Sequence, residues 1–436
     1  MARTVRRPAL WAWSGGAVGA LLVAVAMIYP RATGTNMHVN WEPLHAYWGP
    51  RITPTSVLPV LVAVSVLLLW PRVARLRWPA FLTALFAGTW LWTMSLAWVD
   101  GSYGIARVFA RTGWYVDDAR TVDSIPAMLS GYVGRIPYSS PDHWHLHASG
   151  HPPGALLFFV LLDRLGLTDP YWIGVLVLTL GCTAVVAAAL VLRTLGGESW
   201  ARRAGPWWVL APAAIWIGVS ADAMFMAVAA WGLALLAFSA TATRRTRLVG
   251  CAVGAGLVLG YCVYLSYGLP LLGILALSVL WLARRWSPLP WAVGGALLVV
   301  AAFTLAGFAW WDAYPVLVER YYAGLGGERQ FGYWVWADLA AWTFTVGLAT
   351  WAAIPGALAR LGARNVVATL GTAGLVSIGL ASLSGMSKAE VERIWLPFTL
   401  WILALPALLP ERWHRPLLVT QVVLAIVIQH LVITRW

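Results

Sequence analysis

Charged residues are scarce in this chain of 436 residues: they make up 11% of it, whereas hydrophobic residues make up 60%. A soluble domain carries about 25% charged residues, so the composition excludes water as the main solvent of the fold. Apolar runs of about 15 to 22 residues recur from Trp11 to Val432, and each is long enough to cross a hydrocarbon core of roughly 30 Å. The sequence therefore predicts an all-α polytopic membrane protein.

Cysteine and lysine are also rare. The three cysteines, Cys182, Cys251 and Cys262, lie in apolar runs without metal-binding spacing, so they predict packing and no disulfide framework. Lys388 is the only lysine, and the net charge of +13 is carried by arginines in short clusters between apolar runs. That distribution is typical of topology signals under the positive-inside rule. We therefore expect no nucleic-acid partner.

The charge pattern predicts a single transmembrane domain, residues 1–436, with about 13 spans. The predicted spans are 10–29, 54–70, 78–98, 170–192, 206–221, 224–240, 247–266, 269–283, 290–310, 336–356, 364–383, 394–410 and 416–433. The first run follows three arginines and precedes no small-residue cleavage site, so we expect a retained signal anchor. With the N-terminus in the cytoplasm, the C-terminus becomes extracytoplasmic and six arginine clusters between spans become cytoplasmic: Arg72/Arg75/Arg77, Arg193/Arg202/Arg203, Arg244/Arg245/Arg247, Arg284/Arg285, Arg360/Arg364 and Arg412/Arg415.

This topology requires that the segment 151–167 does not cross the membrane completely. It is short, opens with prolines and carries Asp163 and Arg164, so we expect a half-helix on the outer side. Of the 17 acidic residues, only Glu198 and Glu411 then lie in clearly cytoplasmic loops. An outward-facing reaction site would explain this segregation, although exclusion of acidic residues by the inner arginines would explain it too.

The longest polar stretch, 99–152, is the predicted extracytoplasmic catalytic loop, and two of its segments have the mixed pattern of amphipathic helices on the bilayer surface. Asp100 ends an apolar helix at the membrane boundary, where an ionisable residue indicates function. Termination of the helix in headgroup water explains Asp100 equally well. Asp117 and Asp118 are weaker catalytic candidates, because acidic residues in a loop are usually only solvated.

Four of the eight histidines lie within nine residues: His143, His145, His147 and His151. With the neighbouring Asp142 they suit hydrogen bonds to a sugar or phosphate. The alternative is that they bind a divalent metal ion, so the sequence does not decide whether the protein has a metal cofactor. Pro152 and Pro153 follow His151 and open the half-helix, whose N-terminus favours anions such as phosphate. An ordinary helix start explains the two prolines as well.

Asp222 lies at the outer turn between two apolar spans. Two interpretations fit this position equally well: a second catalytic carboxylate, or a helix cap. The second outer loop, 311–335, contains the binding candidates Arg320, Arg329 and Tyr333. Arginine suits a phosphate and tyrosine suits a sugar face, although an interfacial belt has the same mixture.

The third outer loop, 384–393, contains four charged residues directly before an apolar span: Lys388, Glu390, Glu392 and Arg393. If this stretch is helical, Lys388 and Glu392 pair as i, i+4 neighbours, and Glu390 and Arg393 lie three residues apart. Such charges should face protein or water, which makes them substrate-binding candidates. The alternative is an interfacial anchor with local ion pairs.

The order of these features resembles the GT-C superfamily of membrane glycosyltransferases, among them the protein O-mannosyltransferases and the lipid A aminoarabinose transferases. The shared order is an acidic residue at an outer helix end, a long amphipathic loop, a His-Pro-Pro motif that opens an apolar helix, and a second outer aspartate. The resemblance implies a polyprenyl-phosphate sugar as donor and Asp100 as base, and His151, Pro152, Pro153 and Asp222 match the later motifs.

The sequence departs from the family pattern at three points. Gly101 replaces an acidic partner of the base, Gly154 stands where leucine is common, and two spans precede the one that ends in Asp100 where the family usually has one. These departures leave Asp117 or Asp118 as alternatives for the base.

The resemblance implies single-displacement transfer of the sugar to an extracytoplasmic cell-envelope acceptor, with a lipid-linked donor and membrane lipid as partners. Two other classes remain open. A transporter or flippase of a lipid-linked sugar would share the basic and aromatic cavity, but it usually has ionisable residues at mid-membrane and internal repeats. The third class is a non-enzymatic membrane component of a cell-envelope complex.

Overall fold

The computed structural model describes residues 6–218 and 220–434, and within them the protein is built almost entirely from α-helices. In the N-terminal half they are α1 (Arg6–Thr33), α2 (Val57–Val73), α3 (Trp78–Ala97), α4 (Gly101–Ala110), α5 (Tyr115–Arg120), α6 (Ile125–Gly131), α7 (Leu146–Ser149), α8 (Pro153–Arg164), α9 (Pro170–Cys182), α10 (Ala184–Gly196) and α11 (Glu198–Val209). Short 3₁₀ turns occur at Pro54–Ser56, Trp98–Asp100 and Val133–Arg135.

The remaining helices are α12 (Ala214–Ile217), α13 (Asp222–Ala240), α14 (Arg245–Leu265), α15 (Leu272–Ala283), α16 (Leu289–Leu305), α17 (Trp310–Tyr322), α18 (Leu325–Glu328), α19 (Phe331–Leu358), α20 (Val366–Leu383), α21 (Val391–Ile394), α22 (Leu396–Ile402) and α23 (Glu411–Leu431). Further 3₁₀ turns occur at Leu269–Leu271, Leu361–Ala363 and Leu405–Leu408. Two strands, β1 (Ala46–Trp48) and β2 (Val432–Thr434), complete the secondary structure.

Nine helical segments of the described chain are long and apolar enough to cross a membrane, or ten if α16 and α17, which are bent by 73° relative to each other, form one span. The nine are Leu10–Thr33, Pro54–Val73, Trp78–Ala110, Pro170–Gly196, Asp222–Ala240, Arg245–Leu265, Phe331–Leu358, Val366–Leu383 and Glu411–Leu431. By length and composition the chain is an all-α, multi-pass membrane protein, whereas the count of 13 spans stays a prediction.

The structure departs from the predicted spans where proline interrupts the apolar runs. The predicted span 206–221 is not one helix, because α11 ends at Val209 and α12 is a single turn. Pro206 and Pro212 lie in this region, and proline removes a backbone donor from a helix. The predicted span 394–410 is likewise divided between α21, α22 and a 3₁₀ turn.

Helix α8 lies between the long polar stretch and the next span. It has 12 residues, about 18 Å of helix, which is too short to cross a bilayer. Chain reversal follows at Gly166, which has a positive φ of 81°. Asp169 then starts α9, because its carboxylate accepts hydrogen bonds from the amides of Tyr171 and Trp172.

Gly154 lies at a point of close packing between two helices. Helix α8 lies so close to α14 that a Cβ on Gly154 would be 2.5 Å from the carbonyl oxygen of Tyr264. Tyr261 of the same helix donates a hydrogen bond to the Gly154 carbonyl over 2.8 Å. A leucine would not fit between these two backbones.

Strands β1 and β2 pair antiparallel, with Tyr47 opposite Ile433. The pairing continues beyond the strands, since the Gly49 amide donates to the Leu431 carbonyl and the Arg51 amide to the His430 carbonyl. This small sheet fixes the end of α23 to the segment that follows α1, so the two regions lie at the same end of the molecule.

Candidate functional site

Asp100 lies at a bend between a membrane-spanning helix and the polar stretch. Helix α3 tightens into the 3₁₀ turn Trp98–Asp100, and Gly101, with φ of 66° and ψ of −154°, redirects the chain into α4. This backbone conformation is open to glycine and costly for other residues. Gly101 therefore makes the bend at which Asp100 is presented.

Two arginines hold the Asp100 carboxylate. Nη2 of Arg51 donates to Oδ2 of Asp100 over 3.0 Å and its Nε donates to Oδ1, so this pair is bidentate. Nη1 of Arg107 lies 3.7 Å from Oδ2. The Asp100 side chain is 15% exposed, so it is accessible from a neighbouring cleft although both of its oxygens are engaged.

That cleft has a volume of about 440 Å³ and is open on one side. Its wall consists of Thr53, Thr55, Val99, Asp100, Gly101, Tyr103, Arg107 and Ile433. The Thr53 hydroxyl donates a hydrogen bond to the Val99 carbonyl over 2.8 Å, which fixes the position of its side chain. The cleft wall thus combines a carboxylate, the guanidinium group of Arg107, hydroxyls and an aromatic ring, which are groups that can bind a phosphorylated sugar.

Sequence reasoning missed Arg51 and Arg107 as site residues. Arg107 had a usable signal, because it follows Asp100 by seven residues, which places both on one face of a helix. Arg51 had none, since it lies in an irregular loop and meets Asp100 only through the tertiary fold.

A second ionic cluster surrounds Asp222 and is buried. Nη1 of Arg393 donates to Oδ2 of Asp222 over 2.8 Å, and Nη2 of Arg393 donates to Oε2 of Glu390 over 2.9 Å. Arg329 lies 3.7 Å from the other oxygen of Glu390. Asp222 is 4% exposed and Arg393 is 5% exposed, so these charges are compensated inside the protein. The arginine charges keep the pKa of Glu390 below its usual value against the effect of burial.

Glu392 lies beside this cluster and forms no ion pair with an arginine of the described residues. Its side chain is 2% exposed, and its Oε2 accepts no hydrogen bond from the described residues. Burial and the neighbouring Glu390 raise the pKa of Glu392 to about 7, against the arginine charges. The group can therefore exchange a proton near neutral pH.

The predicted pair of Lys388 and Glu392 is wrong, because the helix begins only at Val391. Ala389 and Glu390 have φ of 66° and 63°, a left-handed backbone that separates Lys388 from α21. The Lys388 ammonium instead donates to the carbonyls of Gly326 and Arg329. The predicted spacing of Glu390 and Arg393 does produce an ion pair.

The other predicted binding residues of the outer loops hold backbone segments together. Arg320 donates to the carbonyls of Ile136 and Trp144. Arg329 donates to the carbonyls of Lys388 and His38, and the Tyr333 hydroxyl donates to the carbonyl of Ala26. These contacts connect distant parts of the chain, and none of these side chains lines the cleft at Asp100.

His147 and His151 lie close to the Asp222 cluster. His147 stacks on Trp114 with ring centroids 3.7 Å apart, and Nδ1 of His151 lies 2.9 Å from the His147 carbonyl. Burial lowers the pKa of both imidazoles, and for His151 the Asp222 charge opposes that shift. Both rings are therefore neutral at neutral pH. Pro152 caps α8 directly after them.

Asp117 and Asp118 have different environments. Asp117 accepts a hydrogen bond from the Gly113 amide over 2.8 Å, a local turn contact. Asp118 is 3% exposed, and its Oδ1 lies 2.9 Å from Nδ1 of His145. Burial raises the pKa of Asp118, and its hydrogen bond with His145 opposes that rise. Asp118 and His145 form an Asp–His pair whose imidazole is partly exposed.

In the described residues no group of three or more His, Cys, Asp or Glu side chains has a geometry that could hold a metal ion. His145, His147 and His151 make the separate contacts given above, and Nδ1 of His143 lies 3.1 Å from the Trp144 carbonyl oxygen. The four-histidine pattern in the sequence thus does not correspond to a shared set of ligands in this structure.

The structure arranges the predicted residues into separate groups. Asp222, Glu390 and Arg393 are in direct contact, with His151 within reach of the Asp222 charge. Asp100 contacts Arg51 and Arg107 instead. Helix α12 packs against both α3, which precedes Asp100, and α21, which contains Arg393.

Within the described residues, fold and site together define a multi-pass helical membrane protein with an open ionic cleft at Asp100 and a buried ionic cluster at Asp222. No family model, no curated protein and no solved structure matches the chain.

Proposed function

We propose that this chain is a membrane glycosyltransferase of the GT-C type, which transfers a sugar from a polyprenyl-phosphate donor to an extracytoplasmic cell-envelope acceptor. The observation that carries the proposal is the position of Asp100. Its carboxylate lies between two guanidinium groups, in an open cleft at the end of a membrane-spanning helix. A lipid-linked phosphate would present its head group at that depth.

In this proposal the donor phosphate binds Arg51 and Arg107, because a phosphate accepts the same bidentate hydrogen bonds as a carboxylate. It would compete with Asp100 for the guanidinium groups and leave the carboxylate free to act as base. Asp100 then takes the proton of the acceptor hydroxyl. The acceptor oxygen bonds to the anomeric carbon while the bond from that carbon to the phosphate oxygen breaks, and the lipid phosphate leaves with the electron pair.

The proposal includes a membrane topology of 13 crossings with the cleft on the outer side. Nine crossings are the long apolar segments. The other four are α16, the interrupted pair α11 and α12, and the short apolar segments Leu269–Ala283 and Leu396–Leu408. An odd number of crossings agrees with the pairing of β1 and β2. This sheet joins the end of α23 to the segment after α1, and that segment lies on the opposite side of the membrane from the N-terminus if α1 crosses once.

The buried cluster gives the transporter alternative one specific support. Glu392 is a buried carboxyl with a pKa of about 7, and proton carriers in transport are groups of this kind. A flippase for a lipid-linked sugar would use the cleft for binding and a proton at Glu392 for coupling. We rank this second, because Asp222, Glu390 and Arg393 compensate one another and form a fixed support.

The experiment uses purified protein in liposomes with radiolabelled polyprenyl-phosphate sugars and a membrane extract as the source of acceptor. We expect transfer of label by the wild type and a loss of at least about a hundredfold in Asp100→Asn, since a general base contributes roughly 10²–10⁴ in rate. Asp142→Asn is the matched control, because the Asp142 side chain is 65% exposed and its partners Arg135 and Ser140 belong to its own loop.

Thermal unfolding of each variant separates loss of the base from loss of the fold, and Asp100→Glu tests whether a displaced carboxylate retains part of the rate. Full activity in a folded Asp100→Asn protein would exclude Asp100 as the base. Label that crosses the bilayer without transfer to an acceptor would instead support the transporter.

A further inference from the structure

Three turns between helices meet at one end of the molecule. They join α13 to α14 (241–244), α15 to α16 (284–288) and α19 to α20 (359–365). The Arg285 side chain donates to the Ala242 carbonyl and so connects the first turn to the second. Cζ of Arg364 lies 4.5 Å from the ring centroid of Trp281, in the last turn of α15, and connects the third turn to the second. Together with the first turn of α14, these turns form one continuous surface.

This surface is strongly positive. We call it the basic surface and define it by six arginines: Arg244, Arg245, Arg247, Arg284, Arg285 and Arg364. The first four are exposed. No acidic residue occurs between Asp222 and Asp312 or between Asp338 and Glu390, so the turns contain no negative charge. The ion pairs among the described residues all involve other side chains.

Packing brings one acidic residue, Glu198, to this end of the molecule. Gly196 at the end of α10 packs against Val366 at the start of α20, and Glu198 follows Gly196 by two residues. The Glu198 carboxylate already forms ion pairs with Arg193 and Arg202. It therefore does not compensate the charge of the basic surface.

Two of the six arginines have a backbone conformation that favours glycine. Arg284 at the end of α15 has φ of 53°, and Arg364 before α20 has φ of 51°. This left-handed conformation costs free energy for any residue with a Cβ. A side chain that is retained at such a position indicates a use for it. For Arg364 the contact with Trp281 is one use, whereas Arg284 is exposed.

The basic surface lies at the level of a membrane boundary. It is formed by the ends of α13, α14, α19 and α20, which all belong to segments able to cross a membrane. Trp286 in the second turn is 49% exposed, and Trp291 in the first turn of α16 is 43% exposed. Exposed tryptophans are typical of the headgroup region of a bilayer. At this depth the anions that the arginines meet are lipid headgroups.

We propose that the basic surface binds the headgroup of an anionic membrane phospholipid. Guanidinium groups form bidentate hydrogen bonds with phosphate, and clustered basic groups at the ends of membrane helices attract anionic lipids. The surface shares no residue with the cleft at Asp100. This inference is therefore independent of the proposed function.

The test measures the binding of single lipids to the purified full chain in detergent by native mass spectrometry. Titrations with phosphatidylglycerol and with phosphatidylcholine of the same acyl chains give two dissociation constants, and their ratio isolates the effect of the headgroup. We expect the wild type to bind phosphatidylglycerol at least about tenfold more tightly. Arg245→Gln/Arg247→Gln should lose most of this preference, because each arginine near a membrane surface contributes roughly fivefold.

Arg284→Gly separates binding from folding. The substitution removes a charge and also relieves the left-handed strain of the backbone. We expect the preference for phosphatidylglycerol to fall about fivefold, while the thermal midpoint without added lipid stays at or above that of the wild type. A lower midpoint with an unchanged preference would show that Arg284 has a structural role instead, and would count against the proposal.

Arg72→Gln/Arg75→Gln is the matched control, because it removes the same charge from two exposed arginines at the end of α2, outside the basic surface. Its lipid preference should equal that of the wild type. The proposal is overturned if the wild type binds both lipids equally, or if this control loses as much preference as Arg245→Gln/Arg247→Gln.

Soluble anions distinguish a membrane lipid from other partners. Glycerol phosphate and poly-glutamate should not displace phosphatidylglycerol from the wild type. Displacement by glycerol phosphate would assign the surface to a dissolved phosphate compound, and displacement by poly-glutamate would assign it to an acidic protein. Either result would overturn the lipid assignment and leave the proposed function of the cleft untouched.

Discussion

Glu392 is the residue whose protonation should control stability near neutral pH. In an unfolded chain its pKa is near 4.5, and in the fold it is about 7. The folded state therefore binds the proton more tightly. The contribution of this group to stability is full below about pH 4.5, falls as the pH rises to about 7, and stays lost above it.

We expect Glu392→Gln to abolish this loss, because the amide has no charge to bury. At about pH 8 the variant should unfold at a higher temperature than the wild type. Its free energy of unfolding should be larger by an amount on the order of 1–3 kcal/mol. At about pH 4.5 the two midpoints should coincide. The comparison isolates Glu392 from its charged neighbours Glu390, Arg393, Arg329 and Asp338, which both proteins share.

The measurement is thermal unfolding in detergent, followed by the fluorescence of the 30 tryptophans. Glu319→Gln is a suitable control, because Glu319 is exposed on α17 and forms no ion pair with the other described residues. A wild type whose midpoint rises between about pH 5 and pH 8 relative to Glu392→Gln would contradict the prediction.

Local spacing predicted some residue contacts and missed others. The pair of Glu390 and Arg393 follows from their separation by three residues and is present. The pair of Lys388 and Glu392 fails because the backbone turns left-handed at Ala389, which no local pattern reveals. Contacts such as that of Arg51 with Asp100 join residues 49 apart, so they depend on how the helices assemble.

At the scale of elements, helix α8 depends on its close approach to α14. We expect Gly154→Ala to destabilise the protein by about 1–3 kcal/mol, because the added methyl group would press on the Tyr264 backbone. Gly250→Ala is the matched control. Gly250 lies inside α14 with nothing within 4 Å of a Cβ, so alanine should be neutral or mildly stabilising there.

Thermal midpoints of both variants test this prediction in detergent. Equal midpoints for Gly154→Ala and the wild type would mean that α8 and α14 can separate without cost. Close packing would then not explain why a glycine stands at position 154.

Long apolar helices were predictable because their hydrophobic length is a strong signal. Interrupted segments were less predictable. The segment 206–221 is apolar throughout, yet prolines and turns divide it into shorter pieces. The sheet of β1 and β2 carried no signal at all. Each strand has three residues and its partner lies at the other end of the chain, so pairing is decided by the assembled helices.

At the scale of the whole molecule, the sheet relates the two ends of the chain across the membrane. The segment after α1 and the segment after α23 are hydrogen-bonded and must lie on one side. If α1 crosses the membrane, the N-terminus lies on the opposite side from β2. The number of crossings is then odd, which agrees with the proposed 13 and excludes a count of ten.

Cysteine labelling tests this topology. In a background whose three native cysteines are replaced by alanine, we expect a membrane-impermeant maleimide to label Ile52→Cys and Leu325→Cys in intact cells. Leu76→Cys and Trp286→Cys should be labelled only after permeabilisation. All four wild-type side chains are exposed, at 90%, 49%, 39% and 49% respectively, so accessibility to the reagent depends on the side of the membrane.

The positions divide the proposal into independent steps. Ile52 lies beyond α1 and Leu76 beyond α2, so opposite labelling of this pair shows that α2 crosses. Trp286 and Leu325 lie on either side of the bent pair of α16 and α17. If Trp286→Cys and Leu325→Cys were labelled from the same side, the bent pair would be re-entrant. The loop at Leu325 would then lie on the opposite side of the membrane from the cleft at Asp100, and the count of 13 crossings would be wrong.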